Sequence, residues 1–180
     1  GCGPNSPLKF CNVKYSIGVD IFESYLNKSK KNKIHNKYIL SDITKIKFKP
    51  KNFDAIILMD ILEHLKKSQG RKLLKKSENW ARRKIIILVP NGFLPQRDYD
   101  QNPSQKHQSG WQPEELRKCG YKPFGMWGLK FLKGPQQTKL IWLIISQLSQ
   151  LIAYYLPKFA FSIFYVKTIM INKAVRNIHY

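Results

Sequence analysis

The run FDAIILM at 53–59 limits what this chain can fold into more than any other feature. It is almost continuously apolar, and it stops at once in Asp60, Glu63 and His64. Strands of that kind are buried on both faces, as in parallel sheets covered by helices. KIIILV at 84–89 has the same character and is stopped by Pro90. Between them, Ser68 to Trp80 reads as a helix with Leu73, Leu74 and Trp80 facing inward. Upstream, Tyr15 to Asp20 reads as a strand, Phe22 to Lys31 as a helix and Tyr38 to Leu40 as a second short strand. This alternation predicts an α/β fold, a mostly parallel sheet flanked by helices. The 180 residues fit one domain, with 1–110 as a cofactor-binding half and 111–180 as the acceptor side.

In such sheets ligands bind outside the carboxyl ends of the strands. Asp20, Asp42 and Asp60 each fall at a strand end, and Glu63 lies just beyond one. Asp54 begins its strand and is left out of the site. At the start of the chain, GCGP forms a glycine turn, where Gly1 and Gly3 let backbone approach a ligand without an intervening side chain. A carboxylate about 20 residues further on, Asp20, can accept hydrogen bonds from both hydroxyls of a ribose. The dinucleotide fingerprint wants a third glycine at its sixth position, where this chain has Ser6, so a nicotinamide cofactor fits poorly. Asp42 stands where a carboxylate or its neighbouring backbone can meet an adenine edge, or can cap the following turn.

The order GCGP, GVD, SDI, FDAIILMDILEHL and KIIILVPNG resembles a class I S-adenosylmethionine-dependent methyltransferase. The resemblance runs from residue 1 to about residue 130, and FDAIILMDILEHL is its most specific part. It implies a Rossmann-like sheet and S-adenosyl-L-methionine as cofactor. Carried over residue by residue, Gly1 and Gly3 approach the methionine part of the cofactor, and Asp20 binds the ribose. Ile21 covers the adenine, Asp42 and Ile43 frame its edge, and Met59 and Asp60 line the methionine end. Two departures stand out. Asn5 replaces a third glycine, and the family's first central strand, with its acidic residue, has no counterpart before Gly1. The expectation is therefore a fragment of a longer product, its first central strand missing.

Methyl transfer needs alignment of the acceptor and, for an oxygen acceptor, a base. His64, just past the 53–59 strand, and His107, at the end of the polar loop 91–110, are the candidate catalytic bases. Each also reads as structural, His64 near a helix start and His107 as a loop anchor with Trp111 as a buried plug. No His, Cys, Asp and Glu set has the sequence spacing of a metal site, so no metal is expected. The three cysteines match no zinc pattern and suit a reducing compartment.

Beyond Leu116 there is no Asp or Glu, while the whole chain carries a net charge of +21 from 32 basic and 11 acidic residues. Such a charge favours anionic partners, either a membrane surface or nucleic acid. Leu140 to Leu156 carries no charge and is expected to form one apolar helix near the C-terminus. That helix would lie on a membrane, pack on the sheet or, at the lower limit of length, span a bilayer. Tyr121 to Leu129 and Phe159 to Val166 read as the last strands. The favoured function is methyl transfer to a small-molecule or lipid-linked acceptor by a cytoplasmic protein peripherally associated with membranes. The alternatives are an RNA methyltransferase and a non-catalytic relative that binds membrane or protein.

Overall fold

The computed structural model describes residues 1–97, 101–133 and 140–170. Among the described residues, six strands form two sheets. β1 (Ile17–Asp20) and β2 (Lys37–Leu40) pair in parallel, with α1 (Glu23–Lys31) crossing between them. β3 (Phe53–Met59), β4 (Ala81–Pro90), β5 (Lys122–Leu129) and β6 (Ala160–Thr168) form the second sheet in the order β3-β4-β6-β5. β3 and β4 are parallel and are linked through α2 (Lys67–Trp80). β6 runs antiparallel to both of its neighbours. The core sits on this second sheet, where Ile85, Ile87 and Val89 of β4 pack with Leu73 and Trp80 of α2 and with Tyr165 of β6.

The structure corrects the sequence expectation in two respects. The sheet is not mostly parallel, because β6 returns into it between β4 and β5. Nor does 140–156 form one apolar helix. It divides into α4 (Leu140–Leu148) and α5 (Gln150–Tyr155), and no helix among the described residues is long and apolar enough to cross a membrane.

The polar side chains at this division explain it. The Ser149 hydroxyl donates to the Ser146 carbonyl at 2.7 Å and accepts the Leu129 N–H at 3.0 Å. The Gln150 amide donates to the Gly125 carbonyl at 3.0 Å, and its oxygen accepts the Gly128 N–H at 2.9 Å. The polar stripe therefore docks the segment on β5. Gly125 permits that contact, since a Cβ there would stand 1.8 Å from the Ala153 carbonyl oxygen.

β1 and β3 do not pair with each other. β3 is an edge strand, half-open along its length, although its apolar run reads as a fully buried strand. Its Ile56, Ile57 and Met59 line a large cavity that Ile17 and Val19 of β1 also line.

Candidate active site

That cavity has a volume of about 1690 Å³, above the ~300–1,000 Å³ of ordinary small-molecule sites. All of Gly1, Gly3, Asp20, Ile21, Asp42, Ile43, Met59, Asp60 and His64 lie on its wall. The parallel register of each strand pair sets their carboxyl ends toward the same side, which is why residues distant in sequence share it.

Asp20 organises the glycine turn. Its Oδ2 accepts the Gly3 N–H at 2.9 Å and its Oδ1 accepts the Phe22 N–H at 2.9 Å. The Cys2 N–H donates to the Val19 carbonyl at 2.7 Å, which lays the turn along the free edge of β1. Gly3 holds φ +59, a conformation that costs glycine nothing. A Cβ on Gly1 would stand 3.1 Å from the Asp20 carboxylate. Asp20 is buried, yet each of its oxygens keeps a lone pair for a ligand hydroxyl. Ile21 is exposed on the cavity wall, as a residue covering a flat ring would be.

Asp42 is partly committed. Its Oδ1 accepts both the Thr44 N–H at 2.8 Å and the Thr44 hydroxyl at 2.7 Å. This is the capping geometry that competes with ligand contact. Its Oδ2 stands 4.0 Å from the Lys45 ammonium, and both Asp42 and Ile43 line the cavity.

At the other end, Asp60 adopts φ 50, and its N–H donates to the Leu88 carbonyl at 3.0 Å. Burial raises its carboxyl above the ordinary range. Burial also pushes the Glu63 carboxyl up to about 8, with the neighbouring Asp60 carboxylate acting in the same direction. Burial, and then the His107 imidazole, hold His64 below its usual value.

His107 is not on the cavity wall. It stands behind His64, with ring centroids 4.8 Å apart and steeply inclined. Its Nδ1 lies 2.6 Å from the Leu94 carbonyl, so Nδ1 carries the proton and Nε2 is left as an acceptor. The loop reaches this position by fastening onto the turn after β3. The Gln108 and Ser109 N–H groups donate to the Glu63 carbonyl at 2.7 and 3.1 Å, and the Gln108 side chain donates to the His64 carbonyl at 2.7 Å. Trp111 is buried with its ring against Gly70 of α2 and the Lys67 ammonium 3.9 Å above it.

Folding thus brings Glu63, His64 and His107 together, which their spacing along the chain does not foreshadow. Trp127 was also missed. It lines the cavity from β5 at φ 63, and the only signal for it is the Trp127-Gly128 break in the strand pattern.

The methyltransferase domain family profile matches residues 1–88. No curated protein matches the chain. Among solved structures, an S-adenosylmethionine-dependent methyltransferase from Archaeoglobus fulgidus is 19% identical with a TM-score of 0.61. That comparison covers 93% of this chain and 83% of that one. The methyltransferase domain of bacterial CtHen1-C is 16% identical with a TM-score of 0.58, covering 95% and 87%. Magnesium protoporphyrin IX methyltransferase from Synechocystis PCC 6803 is 17% identical with a TM-score of 0.54, covering 94% and 67%. At such identities the likeness is one of fold. The first 88 residues thus match the methyltransferase domain family, and the chain around the cavity has the fold of solved S-adenosylmethionine-dependent methyltransferases.

Proposed function

We propose that the chain transfers a methyl group to a small-molecule or lipid-linked acceptor that enters the cavity on its His64 side. The observation that supports this is the gathering of Asp20, Asp42 and Asp60, three carboxylates at strand ends, on the wall of one cavity. The fit to the cofactor is sound in chemistry. Asp20 keeps acceptor capacity for ribose hydroxyls, Gly1 and Gly3 leave the approach open, and Ile21 offers an apolar face. Asp42 and Ile43 would hold the adenine edge, and Met59 and Asp60 the methionine end. When bound, S-adenosyl-L-methionine supplies an electrophilic methyl group. The protein's part is to orient the acceptor and exclude water. His64 is neutral near pH 7 because burial disfavours its imidazolium, so it can take the proton of an acceptor hydroxyl. His107 acts on His64 from behind.

An apolar or membrane-borne acceptor is favoured by one surface. Leu148, Leu151 and Tyr155 of the α4–α5 segment are more than two-thirds exposed, at 71%, 74% and 77%. Large exposed apolar patches mark interaction sites, and the surrounding net charge of +21 suits an anionic lipid surface. Cosedimentation with anionic liposomes tests this. Replacing Leu148, Leu151 and Tyr155 by serine is expected to release the protein from the vesicles, and equal sedimentation of that variant would sink the lipid reading. Salt-dependent RNA binding that survives the same replacements would favour an RNA acceptor instead.

A further inference from the structure

We propose that Glu63, His64 and His107 form a site for a divalent transition-metal ion, with two imidazoles and one carboxylate as ligands. One donor atom from each residue lies within 4.8 Å of the others. Metal bonds of ~2.0–2.2 Å hold neighbouring donors ~3–4 Å apart, a distance that rotation of these side chains can reach.

Two of the three residues each present one buried atom with no hydrogen-bond partner. Glu63 is 2% exposed, and its Oε2 has no hydrogen-bond partner. The buried Nδ1 of His64 has none either. Leaving buried polar atoms unsatisfied is unfavourable, and one cation satisfies both. The third donor is prepared differently. The Leu94 carbonyl holds the Nδ1 proton of His107, which fixes the ring and presents the Nε2 lone pair. Metal-ligating histidines are commonly held this way by a carbonyl on their far nitrogen.

Hydrogen bonds brace the backbone around the three residues. Besides the bonds that fasten the loop to Glu63 and His64, the Ser109 hydroxyl donates to the Leu62 carbonyl at 3.1 Å. The turn and the loop are therefore locked together at the point where their side chains converge. Two nitrogens and one oxygen suit Zn²⁺, Co²⁺, Mn²⁺ or Fe²⁺, and three protein ligands leave coordination positions open. His64 borders the cavity, so an open position faces the acceptor side. There an ion would act as a Lewis acid toward an acceptor oxygen, with His64 serving as its ligand in place of a free base. That use rests on the proposed function, whereas ion binding does not.

The test is a titration of the chelator-treated chain with CoCl₂, without cofactor or acceptor, read by visible absorption and by imidazole NMR. A single saturating site with ligand-field absorption is expected, with the His64 and His107 signals displaced and His35 unaffected. H64N and H107N should each abolish the absorption, and E63Q should weaken binding by about tenfold or more. Absence of absorption at millimolar Co²⁺, or its persistence in H64N and H107N, would overturn the site. If a histidine variant does not fold, the wild-type imidazole signals decide. Loss of liposome binding or of cofactor binding leaves this titration unchanged, so failure of the proposed function is read separately.

Discussion

Asp20 accepts the Gly3 N–H through one carboxylate oxygen and the Phe22 N–H through the other, so a single buried side chain ties the glycine turn to the end of β1. The turn has its shape because of that carboxylate, and the carboxylate is fixed by the turn. A cofactor ribose arriving at Asp20 meets an acceptor already held in place.

Asp20→Ala should therefore weaken S-adenosylhomocysteine binding by ~1.5–3 kcal/mol, the loss of a charged hydrogen bond. Calorimetric titration of both proteins measures the difference. Asp20→Asn should lose part of the same affinity, because an amide offers one acceptor oxygen where the carboxylate offers two. Equal affinity in wild type and Asp20→Ala would remove Asp20 from the cofactor site.

Gly125 is where β5 and α5 come closest. With Ala153 backbone only 1.8 Å from an added Cβ, Gly125→Ala must push the α4–α5 segment off the sheet. Overpacking of this kind costs ~1–3 kcal/mol or more. A lower urea midpoint with an unchanged denaturant slope is the expected result. An unchanged midpoint would mean that α5 does not rest on β5.

Glu63 gives the metal-free protein a pH dependence whose sign is fixed. The folded carboxyl holds its proton up to about 8, while the unfolded one releases it near 4.5. Between those values the folded state binds more protons, so stability is greatest at the acid end and is lost as pH rises through the window. Asp60, His64 and His107 surround the group and shape the curve. Thermal melts in chelator should show this fall in wild type. In Glu63→Gln the fall should be largely gone, and an identical pH profile in the two proteins would refute the assignment.

The local elements of the first 90 residues were legible because their signals are local. FDAIILM is a strand over the very residues that the apolar run marks; Asp20 ends β1, Asp60 directly follows β3, and Asp42 lies two residues past β2. What failed was long-range. Leu140 to Leu156 has the composition of one helix, but Ser149 and Gln150 find partners on β5, and no window of sequence contains both sides of that contact. β3 reads as a fully buried strand because an apolar face turned to a cavity has the same composition as one turned to a core. The meeting of Glu63 and His64 with His107 depends on how the 91–110 loop folds back, which hydrogen bonds to main-chain carbonyls decide. The backbone donors among them, the Gln108 and Ser109 N–H groups, leave no mark on residue choice.

The separation of the two sheets has a thermodynamic consequence. Among the described residues no strand ladder joins β1–β2 to β3–β4–β6–β5, and both groups contribute to one cavity wall. A molecule seated there touches both and takes over cohesion that backbone pairing supplies elsewhere. Its binding energy then becomes part of the energy holding the halves together, and grows with ligand concentration by mass action. Cohesion between the two groups otherwise rests on the segment after β2, where Ile43, Ile46 and Phe48 pack on the core and Lys76 donates to the Thr44 carbonyl, so a bound cofactor is expected to add to it.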